Sequence, residues 1–286
     1  MKDQHDEANR VSPGLRKVLN SHGHGFHYAI LRRADQLSAA QRTSWMLDGV
    51  EFPVVAGGST THIDFILRSR RRRTYLVAEC KRADPARARW CFARAPYTWR
   101  NRREGEVIFD QFVYQPPNLL DQQPCIAYTD RGIYHLGFEL KTDAPGEGLA
   151  QSGQAINQAM SQVLRATSGL INHRFERSRR SFTTNGMVRF IPVVFTTAQV
   201  WITDVDLGSA DIATGDLPLE AVRAQPTDWI WFNHNRSPML RADLEWANLS
   251  GELEHELRLE FTRTIAIVGP QGIEKFLTTD LEAWLD

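Results

Sequence analysis

The chain has 286 residues, 42% of them hydrophobic, which is enough to bury one substantial core and reads as a single elaborated domain. Lys plus Arg and Asp plus Glu both number 34, so net charge points to neither a nucleic acid nor a membrane surface as partner. Cys80, Cys91 and Cys125 show no C-x-x-C spacing, which excludes a disulfide framework and a four-thiolate cluster, and no stretch approaches the roughly 20 apolar residues of a membrane span.

The polar start MKDQHDEANR lacks an export signal, so a soluble, cytoplasmic protein with no membrane partner is expected. Ser12-Pro13 opens a helical pattern, with Val11, Leu15, Val18 and Leu19 on one side and Gly23 or Gly25 ending it. The glycines between His22, His24 and His27 make that segment read as a flexible turn. No Cys or carboxylate stands nearby to complete a tetrahedral metal set.

Three apolar runs rich in β-formers follow, at Val50 to Ala56, Thr60 to Leu67 and Thr74 to Lys81, separated by Gly57-Gly58 and an arginine loop. They predict a three-stranded meander. Residues 82–150 are less regular and read as an insertion, with strand-like pieces at Pro124 to Tyr128 and Ile133 to Leu140. Gln151 to His173 carries Ala155, Ile156, Ala159, Val163, Leu164 and Ile171 at helical spacing. Val188 to Thr196 and Gln199 to Val205 predict two more strands around a Thr197-Ala198 corner. Beyond Leu207 the pattern weakens to a Trp-rich piece at Trp229 and Trp231, a strand at Thr264 to Val268 and a terminal helix from Thr279.

The charged residues inside the apolar runs carry the chemistry. On the third strand Glu79 and Lys81 share a face with Tyr75 and Val77, and Cys80 points the other way as a small apolar residue. A hairpin around Arg68 to Arg73 brings Asp64 within cross-strand reach. Hard oxygens from Asp64 and Glu79, with the Cys80 carbonyl, suit Mg²⁺ or Mn²⁺ and leave room for water and phosphate oxygens. Such an ion acidifies water and neutralises charge on a phosphate, and Lys81 is placed to orient the water or stabilise developing charge. The bland alternative is a salt-bridge ladder on an exposed sheet face, which the otherwise apolar strands disfavour.

His62-Ile63-Asp64, with Glu79-Cys80-Lys81 beginning fifteen residues after the Asp, resembles the PD-(D/E)XK superfamily, the restriction-endonuclease-like nucleases. The resemblance covers roughly residues 11–206. It implies an α/β fold with an α-β-β-β-α-β core around a central mixed sheet, an insertion (82–150) after the third strand, and a C-terminal extension (207–286) packed on the core. It also implies a Mg²⁺-dependent or Mn²⁺-dependent nuclease, with DNA ahead of RNA as substrate. Asp64 and Glu79 carry over as metal ligands and Lys81 as the catalytic lysine. Ile63 replaces the family's usual proline, and Glu7 is the only glutamate before Glu51 that a first helix has to offer.

On the helix after the insertion, Gln154, Gln158 and Gln162 form a polar stripe, and the resemblance makes Gln158 and Gln162 contacts to phosphate or to water at the site. The stripe reads equally as the wet side of a helix. From Arg68 to Arg103 thirteen Lys or Arg face only Glu79 and Asp84, an excess of eleven. Arg70, Arg71, Arg72, Arg73 and Arg82 are therefore candidate nucleic-acid contacts, against the alternative of a solvated hairpin tip. Trp90, Cys91 and Phe92 read as core of the insertion ahead of base stacking. The rival function is a catalytically inactive nucleic-acid-binding or assembly module on the same fold, and a homodimer is left open.

Overall fold

Gly23 adopts φ 74°, a left-handed turn that costs a glycine little, and from it the chain enters α1 (His24–Ala39). In this computed structural model the described residues are 14–15, 18–19, 23–71, 73–95, 105–115, 119–141, 151–178, 186–218, 220, 222–237, 259–281 and 283. The helix expected from Ser12 to Gly23 is thus only partly covered, with Gly14, Leu15, Val18 and Leu19 helical, and Glu7 and Arg72 lie outside. Residues 24–27 of the HGHGFH segment are helical and not the turn expected of them, and His22 lies outside the described residues. His27, Ile30, Ala34 and Leu37 recur at helical spacing and form the buried stripe of α1, and that periodicity outweighs one interior glycine.

The meander forms as β1 (Trp45–Ala56), β2 (Ser59–Ser69) and β3 (Thr74–Lys81), each antiparallel to the next. After β3 come β4 (Arg89–Ala93), β5 (Glu106–Gln115), β6 (Leu119–Tyr128), β7 (Ile133–Tyr134), β8 (Leu136–Leu140) and β9 (Gln151–Ser152). Then α2 (Gln154–Ser178) crosses over to β10 (Gly186–Thr196), which pairs with β3 in parallel from Arg189↔Thr74 to Thr196↔Lys81. Next are β11 (Gln199–Thr203), β12 (Ala224–Thr227), β13 (Trp229–Asn235), β14 (Thr262–Val268) and α3 (Ile273–Thr278). The terminal helix therefore ends where it was expected to begin: Thr279 is its C-cap.

The protein is α/β with a mixed central sheet. Its main path runs β1-β2-β3-β10-β14-β13-β7, and the hairpin β5-β6 also pairs with β10. Strands from residues 106–134 and from residues 229–268 thus complete the sheet that β1–β3 begin. β11 does not fold back on β10 at the Thr197-Ala198 corner. It joins a second, five-stranded sheet, pairing with β4 in parallel and β12 antiparallel.

Alternation along β10 explains the two-sided core. Ile191, Val193 and Phe195 pack with Ile30, Ala34 and Leu37 of α1, Phe65 and Leu67 of β2, and Leu76 and Ala78 of β3. On the opposite face Val77, Ile66 and Phe190 meet Ala166, Leu170 and Ile171 of α2. Each fully buried Ile or Leu contributes roughly 1.5–3 kcal/mol relative to exposure, so α1 and α2 are held by these stripes more than by propensity. Trp90 and Phe92 lie in the core beside Ile156, Met160 and Val194, as expected of the insertion. Among the described residues no helix is long and apolar enough to cross a membrane.

Candidate metal centre

The β2–β3 ladder runs from Arg68↔Tyr75 to Phe65↔Ala78, so Asp64 and Glu79 are the next residues in register. On its other side β2 pairs Val50↔Phe65 and Phe52↔Ile63, which sets Glu51 beside Asp64. Three carboxylates therefore occupy one transverse row, Glu51–Asp64–Glu79, across three adjacent strands. Like charges directly opposite one another destabilise a sheet, and a row of three calls for positive charge.

Part of that charge is present. Lys81 Nζ lies 2.9 Å from Glu79 Oε1, as two residues sharing a strand face allow. The Cys80 backbone N–H donates to Asp64 Oδ2 at 2.6 Å, so the Asp64 side chain takes up a donor that the β2 backbone no longer pairs. His27, reaching in from α1, brings Nδ1 to 3.3 Å from Glu51 Oε1. One ligand atom each of His27, Glu51 and Asp64 lie within 4.8 Å of one another.

Electrostatics record the same imbalance. Burial pushes the Asp64 carboxyl above its usual range, against the Cys80 N–H, which favours the anion. Glu79 is 8% exposed and its pKa is pushed up to about 7, first by burial and then by the Asp64 carboxylate, with Lys81 opposing both. Burial also pushes the Cys80 thiol well up, so this cysteine is packing rather than a nucleophile, and it lies partly buried against the α1-side core. Buried Glu79, half-buried Asp64 and exposed Glu51 outnumber the one ammonium group, and with the buried imidazole of His27 these hard oxygens are a donor set that fits a divalent cation.

The glutamines fall differently. Gln154 and Gln158 are exposed, whereas Gln162 is half-buried, and its Oε1 is buried with no hydrogen-bond partner among the described residues. Arg174 of α2 lies over the Tyr75 ring at 5.3 Å, and Leu170 packs in the Val77 cluster, so α2 runs opposite to β3. Two strand residues advance as far as about 4.4 helix residues, which brings Gln162 to the level of Glu79 and Lys81.

The arginines divide in the same way. Arg82 is exposed directly after Lys81, while Arg70, Arg71 and Arg73 are exposed at the β2–β3 turn. Arg73 precedes Glu79 by six residues, roughly 20 Å along an extended strand, so that turn lies at the far end of β3 from the carboxylates. Arg70 is partly engaged, its Nη2 donating to the Ser38 carbonyl at 3.1 Å. Arg68 is tied to Asp48, at 3.2 Å, beside Arg174 on the same carboxylate.

His27 and Glu51 do not stand out in the sequence as site residues. The glycines hide the helix that carries His27, and Glu51 gains meaning only from the β1–β2 register, although it is the one charged residue in VEFPVVA. No protein-family model, no curated protein and no solved structure matches the chain.

Proposed function

We propose that the protein is a metal-dependent nuclease that hydrolyses phosphodiester bonds, with DNA ahead of RNA as substrate. The observation that carries this reading is the row Asp64–Glu79 with Lys81 on its edge, at the end of β3 where the β2–β3 ladder stops. Further support comes from the element order: α1, the meander, a crossover helix and a strand parallel to the third, which is the α-β-β-β-α-β order of restriction-endonuclease-like nucleases.

Asp64 and Glu79, with the Cys80 carbonyl, would hold Mg²⁺ or Mn²⁺. When bound, the ion supplies positive charge to a phosphate and acidifies water. The remaining work falls to the chain. Glu79 and Lys81 form an ion pair whose ammonium keeps further N–H groups to donate to a phosphate oxygen as negative charge develops there. Gln162 offers an amide at the same level. Exposed Arg82 would take a phosphate beside the site, and the Arg70–Arg73 turn, roughly 20 Å away, would take backbone about six nucleotides along a duplex.

Incubating the protein with single-stranded and double-stranded DNA and RNA, with Mg²⁺ and with a chelator, tests the reading. Cleavage is expected with Mg²⁺ alone. Binding without cleavage, at every metal concentration, would replace this reading with the inactive binding module.

A further inference from the structure

We propose that His27 is an imidazole ligand of the cation at Asp64, that Glu51 binds the same ion, and that this mixed donor set makes the site prefer Mn²⁺ to Mg²⁺. The inference rests on the nuclease reading only in taking Asp64 to be a metal ligand. His27, Glu51 and Asp64 come from α1, β1 and β2, yet one ligand atom of each lies within 4.8 Å of the other two. Ligands about 2.1 Å from a common ion stand roughly 3–4 Å apart, so the three need only draw slightly together.

The imidazole itself points to a ligand. His27 is 3% exposed, stacks on Phe65 at 5.6 Å, and occupies a place in the α1 stripe that an apolar residue would fill without a polar cost. Nδ1 faces Glu51, but Nε2 is buried with no hydrogen-bond partner among the described residues. A buried polar atom left unpaired costs roughly 1–3 kcal/mol, which an apolar residue at this place would avoid, and Nδ1, the nitrogen that faces Glu51, is the atom placed to coordinate the shared ion. Glu51 meanwhile holds φ 47°, a left-handed conformation uncommon for a residue with a side chain. Mg²⁺ keeps oxygen ligands and its waters, whereas a first-row transition ion gains from nitrogen, so the set ranks Mn²⁺ above Mg²⁺.

The test is electron spin-echo modulation of Mn²⁺ bound to the full-length, chelator-stripped protein without nucleic acid, alongside calorimetric titration of Mn²⁺ and Mg²⁺. Nitrogen modulation is expected, changing to the ¹⁵N pattern when the protein is grown on ¹⁵N-histidine, which needs no mutation. His27→Asn should abolish it and shrink a Mn²⁺ preference of about tenfold or more towards parity. Glu51→Gln, at a half-exposed position, should keep the modulation and weaken Mn²⁺ binding severalfold. Bound Mn²⁺ without nitrogen modulation, modulation that survives His27→Asn in a folded protein, or unchanged binding in Glu51→Gln overturns the inference and leaves an oxygen-only nuclease site standing. No Mn²⁺ binding at all would overturn the inference, and the Mg²⁺ cleavage assay alone then decides the nuclease reading.

Discussion

The Cys80 backbone N–H donates to Asp64 Oδ2 at 2.6 Å, so the carboxylate that faces Glu79 is also a structural acceptor at the point where β2 leaves β3. Charge and hydrogen bond can therefore be separated by mutation. Asp64→Asn keeps an acceptor oxygen and removes a charge from the carboxylate row, so in chelator it should melt no lower than the parent. Asp64→Ala leaves the Cys80 N–H unpaired and should lose about 1 kcal/mol. Thermal denaturation of both variants without divalent ions checks this, and equal melting of the two would show that the hydrogen bond contributes nothing.

The raised Glu79 pKa has a pH signature in the metal-free protein. Unfolded, Glu79 ionises near its ordinary value of 4.5, and folded, near about 7. Between these values the native state binds the extra proton, so stability falls as pH rises from about 4.5 to about 7, by up to roughly 3 kcal/mol. Below that window the contribution is constant and favourable. Glu79→Gln should flatten the slope, as read from urea denaturation in chelator at several pH values. A slope unchanged by the substitution would mean that Glu79 ionises normally.

Much of this site is legible in the sequence because it rests on period-two alternation. Glu79 and Lys81 share a face by counting, and the 2.9 Å contact bears that out. The Asp64–Glu79 relation needs the hairpin register as well, and the arginine turn between two β-rich runs sets it. His27 and Glu51 are hidden for different reasons. The glycines around His24 disguise a helix start whose stripe continues through Ile30, Ala34 and Leu37. Glu51 depends on the pairing of β1 with β2, which includes a register shift between Leu47 and Gly49 that no local pattern announces. The roles of β13 and β14 are likewise invisible, since joining β10 from the far end of the chain is a non-local pairing.

Gln162 should matter for turnover and little for folding. Its Oε1 is buried and unpaired among the described residues, so Gln162→Ala removes a polar atom that stabilises nothing and should leave the melting temperature nearly unchanged. Cleavage should fall by tenfold or more if the amide meets substrate or water at the level of Lys81. Gln158→Ala, at an exposed position one turn earlier, should have the smaller effect. Rates that match the parent in both variants would return the stripe to solvent.

Replacing Arg70, Arg71, Arg72 and Arg73 with Ser should flatten the salt dependence of nucleic-acid binding, because every phosphate that an arginine no longer neutralises takes nearly one unit off the logarithmic slope. The single-site rate on a short oligonucleotide should survive, since the turn lies roughly 20 Å from the carboxylates along β3. A fluorescence-anisotropy salt series on long and short duplexes separates the two, and an unchanged slope would assign the turn to solvent.

The central claim, that Asp64, Glu79 and Lys81 form a cleaving centre, is tested most directly by single-turnover cleavage rates of the parent, Asp64→Asn, Glu79→Gln and Lys81→Met with Mg²⁺ or Mn²⁺. The two carboxylate variants should lose metal-dependent cleavage. Lys81→Met should still bind metal while losing roughly 10²-fold or more in rate, the size expected when a positioned charge is removed from a transition state. Cleavage at the parent rate by all three variants would contradict the account.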